Sequence, residues 1–139
     1  MTEKLTFELS KDVEDKMVEH ASEDAPLETC AVLFGSELTI DDYYPMENTD
    51  ESEVHFTFDP QQQLKAMKEA RSRGKDIIGI YHSHPAIDSQ AYPSEEDRRH
   101  GWEEYVYFIL SFTNDDYNLG AFEFHDGDII EHDYEVVTA

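Results

Sequence analysis

The chain has 139 residues, enough for one domain with a real core, and carries 33 Asp and Glu against 10 Lys and Arg, for a formal charge of −23. A field of that sign repels nucleic acid and anionic lipid, so DNA, RNA and membrane partners are not expected. Cys30 is the single cysteine, no apolar run approaches the length of a membrane span, and Met1-Thr2-Glu3-Lys4 does not open a signal peptide, so a reducing, cytoplasmic setting is expected.

In chain order, Leu5, Phe7 and Leu9 alternate as a short strand, and Ser10 is placed to cap a helix to about Ala21 with Val13, Met17 and Ala21 on its inner face. Pro26 interrupts. Cys30-Ala31-Val32-Leu33-Phe34 reads as a buried strand ending at Gly35, and Leu38 to Tyr44 as its partner. Val54 to Phe58 alternates again, and Asp59-Pro60 opens a helix running to about Arg73, with Leu64, Met67 and Ala70 inward and Gly74 as its stop. Asp76-Ile77-Ile78-Gly79-Ile80-Tyr81 is strand-like, and Ser94 can cap a short helix whose first turn holds Asp97. Tyr105–Phe112 and Tyr117–Phe124 complete the strands, and Asp126-Gly127 signals a hairpin into Asp128–Tyr134. Alternation of strand-like and helical segments, with no linker or repeat, predicts a single α/β domain with helices flanking a sheet.

The chemistry gathers at residues 82–97: His82-Ser83-His84-Pro85, a loop, then Pro93-Ser94-Glu95-Glu96-Asp97. Positions i and i+2 of a strand share one face, about 6.6 Å apart, so two histidines at its end can converge on one ion. His82, His84 and Asp97 supply the three protein ligands of a catalytic zinc, which keeps its fourth position open. Ser94 can cap its helix and also present its hydroxyl to a developing oxyanion. A general base is missing from this stretch. Glu28 is one candidate among many acids, distinguished by directly preceding a buried strand, where a charge needs a partner or a task.

Other polar residues read as ordinary. Cys30 starts an apolar strand with no cation nearby to favour a thiolate. His20, His55, His100, His125 and His132 lack ligand-like spacing; His125 and His132 flank the hairpin beside Asp126 and Asp133, where solvated side chains or a weak cation site are the two readings. Asp88 reads as a loop acid. The acidity itself fits either a salt-rich cytosol or an ordinary acidic protein.

These motifs resemble the JAMM (MPN+, or JAB-domain) metalloproteases, whose signature is a distant glutamate, then His-x-His, then Ser-x-x-Asp. The resemblance extends through Pro26-Leu27-Glu28-Thr29-Cys30, Leu33-Phe34-Gly35, Asn48, Phe56-Thr57-Phe58-Asp59-Pro60 and Ile77–Pro85, and so covers most of residues 26–97. It implies a cytidine-deaminase-like α/β fold with a mixed sheet, one zinc ion per chain on His82, His84 and Asp97, Glu28 as acid/base and Ser94 as oxyanion helper. Two departures stand out. Nine residues separate His84 from Ser94, two more than the family's usual loop, and Ala31 sits where many members carry glycine.

The activity implied is hydrolysis of an isopeptide bond between lysine and a small ubiquitin-like modifier of the SAMP type. The enzymatic alternative is trimming of a sulfur-carrier protein at its C-terminus. A non-catalytic scaffold of the same family is the alternative of another class, and it predicts substituted ligands, whereas all five positions are filled. A zinc deaminase would need cysteine ligands that one cysteine cannot supply. The substrate tail is expected to arrive extended beside a sheet edge, with the loop after His84 as one wall.

Overall fold

The computed structural model describes residues 4–25, 28–46, 60–84, 105–113, 116–125 and 128–138. The strand expected at 54–58, the helix expected after Ser94, and Asp88 lie outside them. The described elements are β1 (Thr6–Ser10), α1 (Lys11–Asp24), β2 (Cys30–Ser36), β3 (Thr39–Met46), α2 (Pro60–Ser72), β4 (Asp76–His84), β5 (Val106–Phe112), β6 (Tyr117–His125) and β7 (Asp128–Val137).

The sheet is mixed, as expected, and it closes on itself in the order β1-β3-β2-β4-β5-β6-β7. β4 and β5 run parallel, as do β1 with β3 and β1 with β7; the remaining neighbours are antiparallel. His125 pairs with Asp128, so β6 and β7 form the hairpin that Asp126-Gly127 signals.

Period-two alternation divides the core into two layers. Ala31 and Leu33 of β2 and Tyr81 of β4 pack with Val13, Met17 and Ala21 of α1. Cys30, Val32 and Phe34 of β2 and Ile80 of β4 pack with Ala66 and Ala70 of α2. β2 and β4 are thus covered by a helix on each face. Ser10 is the N-cap of α1 by backbone (φ −60°, ψ 137°), but its hydroxyl makes no capping hydrogen bond. Asp12 and Glu14 in that first turn face the positive end of the helix dipole.

The inner face of α2 differs from the sequence expectation. Ala70 is buried as expected, but Leu64 and Met67 are each 52% exposed and Ala66 is buried in their place. The helix turns its alanine row, spaced i and i+4, onto the sheet, because small side chains let a helix lie close over β2 and β4. Gly74 terminates α2 at φ 69°, with Lys75 N–H donating to Ala70 C=O at 2.9 Å. Gly79 is needed for another reason: a Cβ there would stand 2.5 Å from the Val106 carbonyl oxygen, so only glycine lets β5 start alongside β4. That close parallel pairing carries β5 past the histidine end of β4.

Candidate metal centre

β4 extends beyond Tyr81 to include both histidines. His82 has the same parity as Ile80, so it projects to the α2 face, and His84 follows it there. Their ring centroids are 5.0 Å apart. Across the antiparallel seam Cys30 pairs with His82. Glu28, two residues before Cys30, brings its Oε1 to 3.4 Å from His82 Nδ1. One potential ligand atom from each of Glu28, His82 and His84 lies within 4.8 Å of the others, with Glu28 and His82 buried and His84 half-buried. Two imidazoles and a carboxylate withdrawn from water, with donor atoms this close, are chemically suited to a divalent metal ion. Ser94 and Asp97 lie outside the described residues.

Ser83 points the opposite way, onto the α1 face, and there it fixes the relative placement of the two halves of the site. Thr29 N–H donates to Ser83 Oγ at 2.9 Å, and Ser83 N–H donates to the Thr29 carbonyl at 3.0 Å. The residue after Glu28 and the residue between the histidines are therefore bonded reciprocally. Thr29 Oγ1 in turn lies 2.6 Å from Asp24 Oδ2 at the end of α1. His20 stands behind this pair, with Nε2 3.2 Å from Asp24 Oδ2 and Nδ1 2.7 Å from the Tyr43 hydroxyl. Tyr81 adds a further tie by donating its hydroxyl to the Met17 carbonyl at 2.9 Å. Thr29 and Ser83 were not singled out in the sequence. The available signal was parity: a polar residue between two strand histidines must face the other layer and needs a partner there.

Cys30, although it neighbours His82, is a packed core residue. Burial pushes its thiol far above the usual range, and the carboxylates of Asp24 and Glu28 push in the same direction. His132 departs from the solvated reading. It is 3% exposed, accepts the Leu5 N–H at Nδ1 (2.9 Å), and turns Nε2 to Glu123 Oε1 at 2.9 Å, joining β1, β6 and β7. Because Nδ1 accepts, the ring hydrogen sits on Nε2 and is donated to the carboxylate. His125 is exposed at the end of β6. β4 is paired with β2 on one side and β5 on the other, so it is not itself a sheet edge.

Residues 10–124 match the family of prokaryotic homologues of the JAB domain. The chain belongs to that family. This JAB domain is 37% identical over 111 residues to a desampylase of Haloferax volcanii, covering 74% of the chain and 78% of the relative. It is 32% identical over 130 residues to a CysO-cysteine peptidase of Mycobacterium tuberculosis, covering 91% and 88% respectively. Among solved structures, the solution structure of protein DSY2949 from Desulfitobacterium hafniense superposes with a TM-score of 0.86 at 29% identity, covering 96% of this chain and 94% of that one. In this JAB domain, Glu28, His82 and His84, which the sequence resemblance singles out, are brought together by the fold. No described helix is long and apolar enough to cross a membrane.

Proposed function

We propose that this JAB domain is a zinc-dependent isopeptidase that releases a ubiquitin-like modifier from lysine. The observation that carries the reading is the placement of the buried Glu28 carboxylate against His82 and His84, within 4.8 Å, at the end of β4. The names of the desampylase and CysO-cysteine peptidase relatives support a ubiquitin-like or sulfur-carrier tail as substrate. By their place in the motif, His82, His84 and Asp97 are assigned as ligands of one zinc ion, Glu28 as acid/base and Ser94 as the oxyanion donor. We take residues 1–139 as one such domain working in the cytoplasm.

A bound zinc ion supplies a Lewis acid that polarises the scissile carbonyl and lowers the cost of deprotonating water. Glu28 takes the proton of the attacking water and delivers it to the departing lysine amine, so one carboxylate serves both half-steps. The Ser94 hydroxyl donates to the tetrahedral oxyanion.

The test compares wild type with Glu28→Ala and Glu28→Gln on native conjugates, reading released C-termini by mass spectrometry. Both variants should keep zinc and lose at least about 100-fold in turnover, the contribution of a positioned acid/base. Release at the wild-type rate by Glu28→Ala, or no release by zinc-loaded wild type, would sink the protease reading. The second reading, sulfur-carrier processing, has a specific support: its relative matches 91% of the chain against 74% for the desampylase. A sulfur-carrier protein bearing a C-terminal cysteine separates the two when assayed beside a lysine-linked conjugate.

A further inference from the structure

β5 passes beside the histidine end of β4 in parallel register, with Ile109 opposite His82 and Ser111 opposite His84. Residues paired across parallel strands point to the same face, in adjacent strands about 4.8 Å apart. Ser111 is therefore the β5 residue that shares the face of His84. The two residues preceding it on that face, Tyr107 and Ile109, are apolar and buried. At Ser111 the pattern breaks, and a hydroxyl takes the place of a core side chain.

Ser111 has 0% exposure, and its Oγ has no hydrogen-bond partner among the described residues. A buried hydroxyl that satisfies nothing is uncommon and calls for a reason. Packing does not provide one, because alanine would fill nearly the same space without stranding an oxygen. Strand propensity does not either, because it favours valine, isoleucine or threonine at such a position. A partner that forms only when the site is loaded does provide one. Metal-bound histidines use one ring nitrogen for the ion and donate the other N–H to an oxygen, which fixes tautomer and ring plane. A serine hydroxyl offers two acceptor lone pairs for that purpose.

We propose that Ser111 is a positioning residue for His84, its Oγ accepting the outward N–H of the imidazole once the centre holds metal. The inference rests on the proposed reading of His82 and His84 as ligands of a metal ion beside Glu28. Ser111 touches neither substrate nor ion in this role; it acts through the orientation of His84. Metal binding makes the imidazole N–H a stronger donor, so the bond strengthens when the ion arrives.

The experiment uses the full chain and two readouts besides turnover. Zinc affinity is measured by competition with a chromophoric chelator, and ligand geometry by the visible spectrum of the Co2+ form, for wild type and Ser111→Ala. Wild type should take up one zinc. Ser111→Ala should bind it roughly 10–100-fold more weakly, the usual cost of losing such a partner, with an altered cobalt band pattern. Thermal unfolding of the metal-free proteins should show the variant no less stable than wild type, since it loses only a hydroxyl that bonds to nothing. Equal zinc affinity with superimposable cobalt spectra would overturn the assignment. So would a destabilised metal-free variant, which would make Ser111 a structural residue. Failure of wild type to bind zinc would instead overturn the metal-centre reading itself, and this assignment with it.

Discussion

Ser83 shows how much of the site is set by a side chain that does not face it. Its hydroxyl accepts the Thr29 N–H at 2.9 Å with both residues fully buried, so deletion leaves a backbone donor with no acceptor in a dry interior. That penalty is typically about 1–3 kcal/mol. It also frees the residue that follows Glu28, and if Glu28 is the general base as proposed, a displacement of as little as about 1 Å can cost on the order of 100-fold in rate. Ser83→Ala should therefore lose about 1–3 kcal/mol in urea unfolding and lower kcat more than it raises KM. Ser83→Thr, which keeps the hydroxyl, should recover most of both. A Ser83→Ala enzyme with normal kcat would show that the reciprocal Thr29–Ser83 pair has no part in aiming Glu28.

At the scale of elements, the end of α2 is fastened to β3 by charge. The Arg73 guanidinium reaches Asp42 at 2.9 Å and Glu69 at 2.7 Å, and lies 5.4 Å over the Phe34 ring and 5.5 Å over that of Tyr44. Burial alone would push the Asp42 carboxyl up. Hydrogen bonds from Arg73 and the Tyr43 N–H, with the charges of Arg73 and Lys75, outweigh it and hold the group below its ordinary value. A depressed carboxyl pKa means the folded state binds its proton less readily than the unfolded chain. The stabilisation is thus complete above the unfolded value of about 3.9 and disappears as pH falls through the lower, folded one. Asp42→Asn should cost about 1 kcal/mol at neutral pH, and its unfolding curve should converge on wild type in acid. A deficit that stays constant down to strong acid would assign the effect to packing instead.

The same scale shows what the sequence made legible. His82 and His84 could be placed together because strand parity is local: two residues apart on one strand is enough. On α2 the sequence points correctly to Ala70 but not to the rest of the inner stripe, because large apolar residues are the usual guide, whereas close packing on β2 and β4 selects Ala66 and leaves Leu64 and Met67 exposed. His132 departs from its sequence expectation for a different reason. One of its two partners is the backbone of Leu5, 127 positions away, and no local pattern announces a contact made when β7 comes round to pair with β1. Glu28 lies between these cases, an ordinary acid by composition that becomes distinctive once β2 is laid against β4.

For the molecule as a whole, the dominant electrostatic fact is the imbalance of 33 acidic against 10 basic residues. Attractive pairs do exist on the surface, such as Lys11 with Asp15 at 2.7 Å and Lys16 with Asp12 at 3.0 Å. Exposed pairs of this kind are worth about 0.2–1 kcal/mol each, and there are too few cations to extend them. Repulsion among the remaining carboxylates acts over longer distances and opposes the compact state. Added salt shortens the screening length from about 10 Å at 0.1 M to about 3 Å at 1 M. It therefore removes long-range repulsion while costing short-range attraction little, and the two effects do not cancel. The melting temperature should climb by roughly 5 °C or more as KCl is raised from low concentration to about 1 M, equivalent to one or two kcal/mol for a domain of this size. Chloride is the appropriate anion, because sulfate strengthens apolar burial by itself. The metal-free protein should show the same rise, which separates the effect from any change in ion affinity. A melting temperature that is flat or falls with KCl would mean that the local pairs outweigh the net field, and the acidic surface would then have no role in adapting the fold to salt.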